Sequence, residues 1–189
     1  MKTRQLFFYV AILMIGLTSC KKQPEADFTT DKASYIAGET ILLTNKTIDG
    51  VTYLWTMPDG QTETSKDVNY TTDVNENDGT LIFKLKAYSK KNKKMDETQQ
   101  SVSLKAAKGD VIFWQITGSG FGTTTVTVNG LTSVITVDSP SSPDCGTSGN
   151  AVFNELKVGI YSFTATDGTY NWSGNITIEK NVCLKFQLN

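Results

Sequence analysis

A two-residue alternation of apolar and polar side chains is the feature that most constrains the fold of this chain. It recurs in short stretches after residue 25, and no long apolar stripe with the helical period of 3.6 accompanies it. The clearest apolar faces are Val51, Tyr53, Trp55 and Met57; Leu81, Phe83, Leu85 and Ala87; Tyr161, Phe163 and Ala165; and Leu184, Phe186 and Leu188. Turn-forming pairs such as Asn129-Gly130 separate these stretches. The sequence therefore predicts an all-β protein with two consecutive antiparallel β-sandwich domains.

The composition excludes several classes of function. The 189 residues carry a net charge of −1, without the basic surplus of a nucleic-acid-binding protein. The chain contains no histidine, which removes the Ser-His-Asp and Cys-His nucleophile systems and the commonest zinc ligand. We therefore expect no enzymatic activity, no cofactor, no metal site and no nucleic-acid partner.

The first nineteen residues are predicted to be a signal peptide. Lys2 and Arg4 precede an apolar run over residues 6–17. A transmembrane helix needs about twenty apolar residues, so this run is too short to span a bilayer. A basic start, a short apolar stretch and small residues at its exit are typical of an export signal.

The exit of this segment, Leu17-Thr18-Ser19-Cys20, resembles the lipobox of bacterial lipoproteins. The resemblance implies cleavage before Cys20, acyl chains on this cysteine as the new N-terminus, and a polar tether over residues 20–25. Two or more acyl chains hold a protein firmly on a membrane. Because Lys21 and not aspartate follows the cysteine, the resemblance also implies the outer membrane of a Gram-negative bacterium. An ordinary signal peptide with an accidental cysteine is the alternative.

The two other cysteines, Cys145 and Cys183, form an even pair in a chain predicted to be exported, which favours a disulfide. Two free thiols or a metal pair are the alternatives, although a metal site would lack further soft ligands. The alternation of the last strand directs Leu184 and Phe186 to the core and Cys183 away from it. Because Cys145 follows a serine- and proline-rich stretch, the disulfide is expected to pin a loop across the outside of that strand.

Residues 26–107 resemble a PKD domain, an immunoglobulin-like sandwich found in many extracellular proteins. The resemblance rests on three stretches: Ala26-Asp27-Phe28, residues 38–45 (GETILLTN) and residues 53–60 (YLWTMPDG). In the last stretch, Trp55 and the pair Asp59-Gly60 match the family pattern Trp-x-Phe-Gly-Asp-Gly, whereas Met57 and Pro58 depart from it. The resemblance implies a buried tryptophan, a tight turn and no catalytic group.

Residues 108–189 are similar to transthyretin-like, carboxypeptidase-regulatory sandwiches over one strand and its neighbours. Leu156, Gly159, Tyr161 and Ala165 have the spacing of the family stretch Leu-x-x-Gly-x-Tyr-x-x-x-Ala. Such domains stabilise, space or bind, so the resemblance implies no active site. The boundary between the two domains is predicted between residues 107 and 108.

Tyr170 and Trp172 are the candidate ligand-binding residues. They flank Asn171 directly after the turn formed by residues 167–169. Aromatic rings beside an asparagine can form a platform, because a ring face packs on the apolar face of a sugar. The alternative is that Trp172 belongs to the core, since alternation gives it the same parity as Ile176.

Three further segments each allow a functional and a purely structural interpretation. Residues 73–79 (DVNENDG) resemble a calcium loop, but Asp78 occupies the position where an EF-hand needs glycine, so a polar connection is favoured and calcium stays open. Residues 89–94 include four lysines and are predicted to be a solvated hairpin tip, with anionic head groups or glycans as the alternative partner. The glycine-rich residues 118–122 predict a flexible turn, because no helix follows that could bind phosphate.

Together these features predict a non-catalytic, lipid-anchored protein of the cell envelope. Its expected role is that of a binding or adhesion module for a glycan or an envelope protein. Its lipid would make the membrane a second partner. The alternative is a structural spacer subunit of a cell-envelope assembly.

Overall fold

The computed structural model describes residues 22–189, so the predicted signal peptide and Cys20 lie outside the described residues. Within the described part, no helix is long and apolar enough to cross a membrane. The regular elements of this part are strands, apart from one short 3-10 helix at Lys90–Asn92. The strands are β1 (Phe28–Thr30), β2 (Ser34–Ile36), β3 (Thr40–Asn45), β4 (Thr52–Thr56), β5 (Thr62–Glu63), β6 (Val68–Thr71), β7 (Gly79–Tyr88), β8 (Met95–Lys105), β9 (Lys108–Trp114), β10 (Thr124–Val128), β11 (Leu131–Ile135), β12 (Ala151–Lys157), β13 (Gly159–Thr166), β14 (Asn171–Ile178) and β15 (Cys183–Gln187).

These strands form four sheets, which confirms the all-β prediction. The strand orders are β1-β3-β6 in sheet A, β2-β8-β7-β4-β5 in sheet B, β11-β10-β13-β14 in sheet C and β12-β9-β15 in sheet D. Antiparallel pairing predominates among the described pairs, but β2 with β8 and β9 with β15 run parallel. Alternation could not have distinguished these two pairs, because side chains alternate in the same way in parallel and antiparallel strands.

Contacts divide the chain into two compact units. Among the described residues, unit 1 comprises residues 22–29, 43–68 and 83–100, and unit 2 comprises residues 30–42, 69–82 and 101–189. Sheets C and D lie entirely in unit 2. The boundary that the sequence analysis places between residues 107 and 108 stays a prediction.

The core of unit 1 is built around Trp55. Its ring meets that of Phe28 edge to face, with centroids 5.0 Å apart, which joins β1 of sheet A to β4 of sheet B. The indole nitrogen of Trp55 donates to the carbonyl oxygen of Ser65 at 3.0 Å. Met57 is buried as predicted, whereas Val51 is 59% exposed because it precedes β4 and so escapes the alternation assigned to it.

The core of unit 2 is a sandwich of sheets C and D. Phe113 of β9 and Phe186 of β15 lie 5.0 and 4.9 Å from Phe163 of β13, ring centroid to ring centroid. Leu184 and Phe186 pack against this cluster and Leu188 is buried in it, as the alternation of the last strand predicts. Packing the two apolar faces against each other removes their surface from water, which is the dominant favourable term in folding. The contacts between aromatic rings add to this stabilisation.

A disulfide joins Cys145 to Cys183, with the Cα atoms 6.2 Å apart. Cys145 lies in the irregular segment between β11 and β12, and Cys183 begins β15. Lys185 strengthens the same attachment, because its Nζ contacts the Asp144 carboxylate at 2.9 Å. The predicted pairing of a loop with the outside of the last strand is therefore present in the structure.

Trp114 is buried on the other side of sheet D from Phe113. Strand β9 buries residues on both of its faces, and Ile112 shares the Trp114 face. Residues 136–150 approach this face, since Ser139 donates its amide to the carbonyl of Gln115 at 2.8 Å. We infer that the disulfide-bonded loop covers Trp114. The serine- and proline-rich sequence of this loop indicates a surface segment and gives no signal for a second layer.

Candidate functional site

Three aromatic side chains meet at the turn between β13 and β14. The ring of Phe121 lies 4.9 Å from that of Trp172 and 5.3 Å from that of Tyr170, both edge to face, and the Tyr170 and Trp172 centroids are 6.2 Å apart. Aromatic pairs attract one another over roughly this range of separations. Tyr170 keeps 53% of its surface exposed, whereas the other two rings are half-buried. These three residues are called the aromatic cluster below.

Asp167 fixes the turn that carries Tyr170. Its carboxylate accepts hydrogen bonds from the backbone amides of Tyr170 and Thr169, at 2.6 and 2.8 Å. The amide of Gly122 donates to the same carboxylate at 3.2 Å, which ties the loop bearing Phe121 to the turn. These amides, first that of Tyr170, hold the pKa of Asp167 below its ordinary value. One ionised carboxylate thus positions both loops of the cluster.

Trp172 combines features of both predicted alternatives. It packs against the hydrophobic core of unit 2, as its parity with Ile176 indicates, yet it remains partly exposed at the end of the strand. Its indole nitrogen donates to the carbonyl oxygen of Asn189 at 2.8 Å. Trp172 therefore supports the ring of Phe121 from the core side, and Tyr170 is the most exposed ring of the cluster.

Sequence reasoning missed Phe121. The glycine-rich residues 118–122 predict only a flexible turn, without a role for the one apolar side chain among them. In the structure that side chain packs against both Tyr170 and Trp172. An aromatic residue in an otherwise polar, glycine-rich segment was the available signal, because such a side chain needs an apolar surface to pack on.

In the acidic segment at residues 73–79, the side chains accept hydrogen bonds from backbone amides and from a lysine. Asp73 accepts a hydrogen bond from the amide of Asn75 at 2.8 Å, and Asp78 accepts one from the amide of Ala106 at 2.6 Å. Asn77 accepts one from Lys157 Nζ at 2.7 Å. These contacts favour the polar-connection interpretation. Throughout residues 22–189 no three His, Cys, Asp or Glu side chains come together as a metal ion would require.

The lysine-rich segment at residues 89–94 connects β7 to β8, which are neighbours in sheet B. Lys90, Lys91 and Lys93 are exposed at this tip. The predicted position is therefore correct, and its use as an anion-binding surface stays a prediction.

The carboxylates with a shifted pKa are held in the ionised state. Backbone amides lower the pKa of Asp31 and Glu39, chiefly those of Leu42 and Ile36 respectively, and Lys185 lowers that of Asp144. The general acid of a glycosidase needs the opposite shift, because it must stay protonated to donate its proton. These carboxylates are therefore unsuited to that role.

No protein-family model matches the sequence, and no curated protein is similar to it. Solved structures with some similarity include a PKD domain of the Vibrio cholerae metalloprotease PrtV, with 24% identity over 45% of this chain and 100% of that chain and a TM-score of 0.37. Carbohydrate-binding modules of the β-sandwich superfamily match 76% of this chain and 55% of that chain, with 19% identity and a TM-score of 0.43. The major pilin subunit BcpA of Bacillus cereus matches 88% and 70%, with 11% identity and a TM-score of 0.36. TM-scores this low carry no argument about function.

Proposed function

We propose that this protein is a non-catalytic binding module of the bacterial cell envelope, and that it binds a glycan by stacking a sugar ring on Tyr170. The observation that carries the proposal is that a positioned aromatic cluster leaves its outermost ring half exposed. Tyr170 is 53% exposed, although two half-buried rings and the Asp167 turn hold it in place.

A ring held in this way is suited to binding. A tyrosine has only two side-chain torsions, so little conformational entropy is lost when a ligand orders it further. Its face can cover the apolar C–H groups of a sugar, and its hydroxyl can hydrogen-bond to the sugar hydroxyls. The neighbouring side chain of Asn171, which is exposed, adds an amide with both donors and acceptors. The cluster therefore offers stacking and neutral hydrogen bonding together.

The proposal also includes the cellular location of the protein, which is supported by its sequence. The stretch ending at Cys20 supports a lipid anchor in the outer membrane, with residues 20–25 as the tether. The disulfide of Cys145 and Cys183 fits a protein that folds outside the cytoplasm, where such bonds persist. A PKD-like domain over residues 26–107 and a transthyretin-like domain over residues 108–189 belong to the same proposal.

The test of glycan binding is a glycan array probed with the purified full chain. We expect binding to one class of glycan, retained by Tyr170→Phe and lost by Tyr170→Ala, because phenylalanine keeps the stacking face. Val51→Ala is the matched control, since Val51 is also exposed but belongs to unit 1. Binding that survives Tyr170→Ala unchanged, or an array without any bound glycan, would overturn the proposal.

A further inference from the structure

Sheet C is built without a single charged residue. Its four strands read TTVTV, LTSVI, GIYSFTAT and NWSGNITI, in the order β10, β11, β13 and β14. The described strands of sheet D, by contrast, contain Lys108, Asp110, Glu155, Lys157 and Lys185. Exposed strands, above all those at sheet edges, usually carry charges that keep the protein soluble and block edge pairing. The uncharged face of sheet C departs from that rule over its whole width.

Hydroxyl and amide side chains occupy this face in ordered rows. The pairing register aligns Thr125 with Thr166, and Thr166 with Asn171. Two residues further along β10, the register aligns Thr127 with Thr164, and Thr164 with Ser173. The intervening residues, such as Val126 and Phe163, point the other way into the core. Neighbouring hydroxyl-bearing positions are therefore about 4.8 Å apart across the strands and about 6.8 Å apart along them.

A groove of about 340 Å³ lies over these rows. The residues that line it are Thr125, Thr127, Thr164, Ala165, Thr166, Asn171, Trp172 and Ser173. Trp172 belongs both to this lining and to the aromatic cluster. The groove thus reaches the end of β14 that carries Asn171 and Trp172, although the Trp172 ring itself packs on the core side of sheet C.

We infer that this groove binds an extended chain of an uncharged polysaccharide, whose one end stacks on Tyr170. The inference rests on the proposed function in taking a glycan as the ligand, and it adds the chemical class and the path of the chain. A neutral polymer with many hydroxyls matches a surface that offers neutral donors and acceptors and no charge. An anionic polymer would lose hydration of its carboxylates here without meeting a cation in return.

If a polysaccharide follows the groove in this way, its affinity should increase with the length of the saccharide chain. A short oligosaccharide reaches only the aromatic cluster, whereas a longer chain also hydrogen-bonds to the threonine rows. Removing two hydroxyls from the rows should weaken binding of the polymer about tenfold and leave binding of a disaccharide unchanged.

The experiment is affinity electrophoresis of the purified full chain through gels that contain a soluble polysaccharide. The neutral probes are a β-glucan, a galactomannan and dextran, and polygalacturonate is the anionic comparison. The groove variant Thr127→Val/Thr164→Val removes two hydroxyls and keeps the shape of the side chains. The matched control Thr56→Val/Thr62→Val makes the same change at a pair of neighbouring threonines of β4 and β5, one half-buried and one exposed, in unit 1.

We expect at least one neutral polymer, and not polygalacturonate, to retard the wild-type protein, with about tenfold weaker binding in the groove variant and no change in the control. If the groove variant and the control bind the neutral polymer equally, and Tyr170→Ala loses this binding, the proposed role of the groove is overturned. The proposed function then still stands. If no neutral polymer retards the wild type, the groove proposal fails, and the proposed function then stands or falls with the glycan array and Tyr170→Ala. Equal retardation by polygalacturonate, or a wild-type dimer in sedimentation that the groove variant dissociates, also overturns the groove, because the face then serves another partner.

Discussion

Trp55 and Trp114 are both buried, but they differ at the indole nitrogen. Trp55 Nε1 donates to Ser65 at 3.0 Å, whereas Trp114 Nε1 meets no hydrogen-bond acceptor within residues 22–189. Changing either residue to phenylalanine removes a similar volume, so the difference between the variants reports the hydrogen bond. We expect Trp55→Phe to lower the free energy of unfolding by about 1 kcal/mol more than Trp114→Phe, measured by urea denaturation. An equal or larger loss at Trp114 would contradict this account.

Asp167 makes the aromatic cluster sensitive to acid. Its folded pKa lies below the ordinary value of 3.8, so the ionised carboxylate stabilises the turn above that pH. This contribution is lost as the pH falls from 3.8 through the lowered folded value. We expect the amide chemical shifts of Thr169 and Tyr170 to change in that window in an NMR titration. Asp167→Asn is the control, and a transition that persists in it would assign the effect to another group.

Among the elements, the strands with one clear apolar face could be predicted from the sequence. Phe83 and Leu85 in β7 are fully buried, as alternation requires, because both side chains point to the core-facing side of sheet B. Strand β9 could be predicted only in part, since Ile112 and Phe113 are both buried and the alternation gives no hint of a second cover. We infer that this cover comes from residues 136–150, whose serine and proline content indicates a loop but not what the loop packs on.

The disulfide should stabilise this loop element. Cys145 and Cys183 are 38 residues apart, and closing a loop of that length is worth about 3–4 kcal/mol in the chain-entropy model. We expect the double variant Cys145→Ser/Cys183→Ser to lose that much free energy of unfolding in urea. Adding reductant should destabilise the wild type but not the variant. A wild-type protein whose two thiols are alkylated without reduction would refute the pairing.

For the molecule as a whole, the sequence predicts the type of fold better than the site. Tyr170 and Trp172 could be proposed because they stand beside a turn, but Phe121 is almost fifty residues away along the chain and only folding brings it to them. The threonine rows of sheet C depend on register between strands. Thr127 and Thr164 become neighbours through pairing that no local pattern specifies.

The lipid anchor is a prediction for the whole protein. Cys20→Ser removes the thiol that would carry the acyl chains. We expect this variant either to remain unprocessed or to leave the membrane fraction, since a tether without lipid has no affinity for the bilayer. Cell fractionation and the mass of the mature protein measure both outcomes. A variant that is processed normally and still sediments with membranes would disprove the lipobox interpretation.

Binding without chemistry is the central claim, and calorimetric titration of the full chain with its array-selected glycan tests it most directly. The account predicts a saturable heat for the wild type and for Tyr170→Phe, none for Tyr170→Ala, and recovery of the glycan with unchanged length after the titration. Heat that persists in Tyr170→Ala, or a glycan recovered in shortened form, would contradict the account.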